Sequence, residues 1–136
     1  VAADNARFCL SEVKLGIVPA VISPYVVRAM GPRQANRYFM TAEVIPADRA
    51  QQIGIVHDVV SEDALDSTVD ALVQSLLNGG PLAQVETRAL IARVSDGPIN
   101  DAMLNDTAAL IARLRTGDEG QEGLSAFLEK RKPNWI

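Results

Sequence analysis

ARFCLSEVKLGIVPA, residues 6–20, is the stretch on which the reading of the fold turns. It opens as a short strand over residues 6–10, set off by the Asp4-Asn5 turn signal. It closes as a structured loop from Leu15 to Pro19, apolar and punctuated by Gly16 and Pro19. Between the two stands a single carboxylate, Glu12. A strand this short needs a partner, and the chain offers one other β-rich run, IVHDVV, residues 55–60. Two isolated short strands do not make a stable sheet. The pattern therefore predicts a mainly α chain with two short strands, whose further sheet partners lie upstream of Val1.

Working outward, the next segments read as helices. Ser23-Pro24 opens one, with Ser23 as cap and Pro24 in the first turn, where its missing N–H costs nothing. Gly31 ends it and Pro32 starts another, running to about residue 40 or 42. Pro46 begins a third, PADRAQQIG, closed by Gly54 in a left-handed cap. After the strand over residues 55–60, Ser61 caps a helix whose apolar positions Leu65, Val69, Leu72, Val73, Leu76 and Leu77 fall on one stripe. Asn78-Gly79-Gly80-Pro81 breaks it. Further helices are predicted over residues 81–94, stopped by Asp96-Gly97-Pro98, over 99–115, and over 118–131 with Pro133 as the stop.

Composition narrows the class. The 136 residues carry 13 Lys and Arg against 17 Asp and Glu, a net charge of −4, which argues against nucleic acid as a partner. Aromatics are only 4% of a chain that is 48% hydrophobic, so the core is aliphatic. The one cysteine, Cys9, rules out an internal disulfide and favours a reducing, cytoplasmic setting. No apolar run reaches the length of a membrane span, so no membrane partner is expected. His57 stands alone, without Cys, Asp or Glu at ligand spacing, so no metal site is predicted. Gly79-Gly80 is a helix break and not a phosphate loop.

Three segments, in order, resemble the crotonase superfamily of enoyl-CoA hydratases and isomerases. The first is residues 6–20, with its strand, Glu12, Leu15-Gly16 and Pro19-Ala20. The second is TAEVIPADRAQQIGIVHDVV, residues 41–60, similar to the family's helix-then-strand segment. The third is EGLSAFLEKRKPNW, residues 122–135, which matches the family's carboxyl-terminal signature nearly residue for residue.

The resemblance implies the carboxyl-terminal portion of an α/β crotonase spiral of the ClpP/crotonase type. Residues 1–60 would be the end of the core and residues 61–136 a helical trimerisation region, the amino-terminal half lying outside this chain. It implies an enoyl-CoA hydratase, a lyase of branched-chain or fatty acyl-CoA breakdown. Glu12 would move the proton at the α-carbon of the thioester, and a carboxyl group suits that task. An upstream Glu and both N–H donors of the oxyanion hole would lie outside this sequence, leaving the chain alone inactive. Leu15, Gly16, Pro19 and Val21 would line the substrate site, and Lys130 would reach the phosphates of coenzyme A. The other role open to Lys130 is a cation at the negative, C-terminal end of a helix.

AVISPYVV, residues 20–27, stands where many hydratases are glycine-rich. The variant resembles the methylglutaconyl-CoA hydratase type, with Val21 and Ile22 reshaping the acyl pocket. Ile111 stands where some hydratases place an aromatic for the adenine. No cofactor is implied beyond the coenzyme A that carries the substrate. The partners implied are the acyl-CoA and further copies of the protein, as a trimer or dimer of trimers. Two other readings stay open: an isomerase using the same Glu12, and a noncatalytic helical assembly module.

Overall fold

In a computed structural model of the chain, residues 1–95 and 97–136 are described, so the Asp96 part of the predicted helix stop lies outside them. The chain divides into two compact units, Val1–Ala71 and Leu72–Ile136.

The first unit carries four two-residue strands where the sequence predicted two strands. These are β1 (Ala2–Ala3), β2 (Arg7–Phe8), β3 (Ile45–Pro46) and β4 (Val59–Val60). β1 pairs in parallel with β4, Ala2 opposite Val59, and β2 pairs antiparallel with β3, Phe8 opposite Ile45. The predicted strand over residues 6–10 shortens to Arg7–Phe8; Pro46, opposite Arg7, has no N–H with which to extend the ladder beyond Arg7 toward residue 6. The predicted strand over 55–60 shortens to Val59–Val60. Ile55 and Val56 both spend their N–H groups on the Ala50 carbonyl, so neither is left to form a ladder.

Helix α1 (Ser23–Thr41) is broken at Gly31, whose φ of 76° and ψ of 158° are non-helical, and Pro32 follows. The two helices predicted on either side of Gly31 are thus both present. A left-handed φ of this kind is open to glycine at little cost, and Pro32 suits the first turn of the new arm. Ser23 does not cap α1. Its hydroxyl donates to the Ala20 carbonyl at 2.9 Å, and the chain is already turning there, with the Ser23 N–H on the Pro19 carbonyl.

Helix α2 (Ala47–Gln52) starts one residue later than predicted, Pro46 serving as its extended N-cap. The core of this unit packs Met30, Ala35 and Tyr38 of α1 against Ile45, Ala50 and Ile53, with Phe8 and Leu10 of the first strand region partly covered beside them. Ser61 precedes a 3-10 turn, Glu62–Ala64, that leads into α3 (Leu65–Leu77). It makes no side-chain cap; its hydroxyl donates to Asp63, and that bond holds the Asp63 carboxyl below its usual range.

The second unit holds α4 (Pro81–Val94), at the predicted bounds, α5 (Asp101–Thr116) and α6 (Asp118–Leu128). Asn100 caps α5 by accepting from the Met103 N–H at 3.0 Å. α4 has a glycine, Gly80, at its N-cap and takes its cap from α6 instead. The two Glu119 carboxylate oxygens accept from the Leu82 and Ala83 N–H groups at 2.9 and 2.8 Å. A Cβ on Gly80 would press on Glu119 Oε1, so a larger residue there would have to shift the capping carboxylate. Removing this cap as Glu119→Ala is expected to cost about 1 kcal/mol. Thermal unfolding followed by circular dichroism checks it, and an unchanged midpoint would argue that water replaces the carboxylate without loss.

The apolar stripe of α3 is helical as predicted but stays uncovered: Leu76 and Leu77 are 60% and 59% exposed. Among the described residues of the second unit, only Leu110 and Ala126 are buried.

Candidate functional site

Glu12 opens a single 3-10 turn, Glu12–Leu15. The turn is closed by the Gly16 N–H on the Val13 carbonyl and the Ile17 N–H on the Glu12 carbonyl, both at 3.2 Å. Gly16 ends it at a φ of 73°. Helix α1 packs against this turn. The Glu12 side chain is part-buried, and its Oε2 is buried without a hydrogen-bond partner among the described residues. Leaving such an atom unpaired costs about 1–3 kcal/mol, and more if it is charged. A buried acceptor in this condition calls for an explanation, and an incoming water or substrate proton supplies one.

The other predicted site residues are placed as follows. Leu15 and Gly16 share the turn with Glu12, and Leu15 is 74% exposed. Pro19 is buried in the loop that leads to α1. Val21 is 89% exposed. A cleft of about 550 Å³ lies between the β2 segment and the amino-terminal arm of α1, lined by Phe8, Leu10, Ile22, Tyr25, Val26 and Met30 among others. Ile22 is thus in the wall of the cleft, and Leu15, Gly16, Pro19 and Val21 are not among its lining residues. Sequence reasoning missed Tyr25, Val26 and Ala29 of that wall. Their spacing of three, four and seven residues from Ile22 is a helical stripe that the pattern carried.

Lys130 belongs to the second unit and ends α6. The helix was predicted to reach Arg131 but stops at Leu128, because Lys130 turns left-handed with a φ of 54°. The Lys130 N–H then reaches the Phe127 carbonyl at 3.3 Å and the Arg131 N–H the Ala126 carbonyl at 3.0 Å. This pair of bonds is the Schellman closure, which most often uses glycine at the position Lys130 holds.

Arg131 meets Glu122 through two bonds, Nη1 to Oε1 at 2.6 Å and Nη2 to Oε2 at 2.9 Å, and its Nε reaches Glu129 at 2.7 Å. Glu122 Oε1 also accepts the Asn134 N–H at 2.9 Å. The hydrogen bond from Arg131 holds the Glu122 carboxyl below its usual range; partial desolvation opposes this, and the Asn134 N–H assists it. A depressed carboxyl stabilises the fold above its unfolded pKa, near 4.3, and loses that contribution as pH falls through its lower folded value. Exchange protection of the Asn134 amide should therefore fall in acid, and Glu122→Gln should abolish that acid-dependent change. Protection that is the same on both sides of the transition would sink this assignment.

Among the described residues no group of three or more His, Cys, Asp or Glu is placed to hold a metal ion. Among the same residues no helix is long and apolar enough to cross a membrane.

Comparison with known proteins agrees with this architecture. The chain is 37% identical over 137 aligned residues to the crotonyl-CoA hydratase of Syntrophomonas wolfei, covering all of this chain and 52% of that protein. It is 36% identical to the 2,3-dehydroadipyl-CoA hydratase of Escherichia coli, covering 99% of this chain and 53% of the relative. A solved structure of the enoyl-CoA hydratase/isomerase (crotonase) type from Legionella pneumophila superposes with a TM-score of 0.96 at 46% identity, covering all of this chain and 52% of that one. The chain spans about half the length of the curated relatives it matches. The family model for enoyl-CoA hydratase/isomerase matches residues 1–136. With a crotonase-type fold and a match along its whole length, the chain belongs to the enoyl-CoA hydratase/isomerase family.

Proposed function

We propose that the whole protein carrying this chain adds water to the double bond of an α,β-unsaturated acyl-CoA. The observation that carries the reading is the buried, unpartnered Oε2 of Glu12. Hydration forms a bond from the water oxygen to the β-carbon, and the π electrons of the double bond take a proton at the α-carbon. The remaining proton of the water leaves to a base. A carboxyl group in contact with the α-carbon supplies the first proton, and the 3-10 turn holds Glu12 in one place for that transfer.

The names of the relatives support the class and differ in acyl group, crotonyl in one and dehydroadipyl in the other. Ile22 in the cleft wall supports an acyl pocket shaped by residues 20–27, the basis of the likeness to the methylglutaconyl-CoA type. Leu15, Gly16, Pro19 and Val21 belong to the same proposal as contacts around the acyl thioester. So do Lys130 as a contact to the phosphates of coenzyme A, a cytoplasmic location, a role in branched-chain or fatty acyl-CoA breakdown, and no cofactor beyond the carrier on the substrate. Homo-oligomerisation through the carboxyl-terminal helices completes it, supported by the exposed Phe127 and Leu128, 80% and 77% accessible.

The test is hydration of crotonyl-CoA, followed by loss of the absorbance of the conjugated thioester. The whole protein should turn over, and the 136-residue chain by itself should not. Robust turnover by this chain alone would refute the need for groups outside it. Conversion of a β,γ-unsaturated thioester without hydration would replace the hydratase reading with the isomerase one.

A further inference from the structure

After α6 the chain doubles back along the helix and is tied down at separate points. The left-handed turn at Lys130 sends it back. Glu122 takes both arms of the Arg131 guanidinium and, through Oε1, also the Asn134 N–H. One residue on, the Trp135 indole N–H donates to the Asn78 carbonyl at 3.3 Å, in the turn between α3 and α4. The Trp135 ring lies against α6 itself, since a Cβ on Gly123 would stand 3.1 Å from Cη2 of the indole. Gly123 is in the middle of the 11-residue α6, where glycine weakens a helix relative to alanine. The indole seated over it offsets that weakness.

The seat is shallow. Trp135 is half-buried, and a cavity of about 240 Å³ remains beside it, lined also by Pro81, Asp118, Glu119, Glu122 and Asn134. Little apolar surface is removed from water, so polar contacts decide whether the segment stays on. Two of them, to Arg131 and to Asn134, depend on one carboxylate and are lost together.

We infer that residues 130–136 form a strap that opens and closes as one unit, with Glu122 as its pin. Closed, the strap ties the α3–α4 turn to α6. Open, it frees that turn and uncovers the cavity, while α6, which ends at Leu128, keeps its own hydrogen bonds. The strap is independent of the reaction proposed above.

Acid is a natural trigger. Arg131 holds the Glu122 carboxyl below its usual range, so the pin is fully set above the unfolded pKa and is withdrawn as pH falls through the lower folded value. The charged groups around it are few. On α6, Asp118 and Glu119 line the same cavity, and Glu119 is spent on the amides of α4. On the returning segment, Arg131 is shared with Glu129 and stands between Lys130 and Lys132. From α5, Arg113 lies beside Glu119 and pairs with Glu86 of α4. Among the described residues, Glu122 is the carboxylate that bonds to the backbone of the strap.

Hydrogen exchange of two groups in the whole protein, followed by NMR, tests the inference. They are the Asn134 amide, bonded to Glu122, and the Trp135 indole N–H, bonded to Asn78; Trp135→Phe identifies the second signal. Glu122→Gln removes the pin, and Gly123→Ala presses a methyl on the indole while favouring the helix. Each variant should speed exchange at both groups by the same factor, about fivefold, as expected for losing one partly exposed charged contact. The amides of α5 should keep their protection. Acceleration of Asn134 alone in Glu122→Gln, or of the indole alone in Gly123→Ala, would show independent contacts and overturn the strap. Equal acceleration in α5 would show general loosening and overturn it too, as would unchanged exchange at both groups.

Discussion

Glu12→Gln lowers kcat for hydration by about 10²–10⁴-fold in the whole protein, the range that one positioned acid–base group contributes. KM changes little, because the amide keeps the shape of the carboxyl and loses only the proton it transfers. The same substitution leaves stability nearly unchanged. Glu12 Oε2 is buried with no partner among the described residues, so the carboxyl group contributes nothing to the fold through that atom. Activity and stability therefore move apart, the opposite of what a structural carboxylate shows. Stopped-flow or steady-state rates beside a thermal melt make the comparison. A kcat within about threefold of the parent would remove Glu12 from the chemistry.

Gly120→Ala is the substitution expected to damage the fold most. Gly120 lies in the first turn of α6, where it passes the end of α5, and a Cβ there would overlap the Leu114 carbonyl oxygen and stand 3.2 Å from the Arg115 Cα. Both neighbours are backbone, so nothing flexible can move aside. Overpacking of this kind costs about 1–3 kcal/mol and sometimes more, and Gly120 sits at the high end because α5 and α6 meet at this corner. A fall in the unfolding midpoint on the order of 10 °C is expected. A midpoint within about 2 °C of the parent would show that the α5–α6 corner shifts without penalty.

Much of this architecture was open to reading before any coordinates. Gly31-Pro32 announced a break between two helical arms because one residue tolerates a left-handed φ and the next cannot continue a helix. Pro81 announced the start of α4, where it suits the first turn. The misses share a cause: each depends on a partner far away in sequence. β1 was invisible because two alanines carry no β signal, and only Val59–Val60 opposite them makes a ladder. Ser23 and Ser61 looked like caps, yet one hydroxyl turned back to Ala20 and the other to Asp63. α4 was capped by Glu119, more than thirty residues on, which no local pattern could announce.

The candidate site was legible to a similar degree. Glu12 stood out through the resemblance of residues 6–20 to the crotonase family, but its orphaned oxygen is a property of packing. Val21 drew notice by its bulk and faces outward, while Ile22, its neighbour, lines the cleft. Lys130 was noticed for its charge. That it ends α6 in a left-handed turn depends on hydrogen bonds to Phe127 and Ala126 and not on any preference of lysine.

The pairing of Ala2–Ala3 with Val59–Val60 also sets an order of events on the ribosome. Roughly sixty residues of synthesis separate the two partners, on the order of 3–12 s at ordinary elongation rates. Through that interval both arms of α1 can coil within microseconds, while Ala2 and Ala3 wait with bare amides for a mate not yet made. That segment must be sheltered or slow to stray, and a pause in translation once Val59–Val60 has been made would give the closing ladder its time to form.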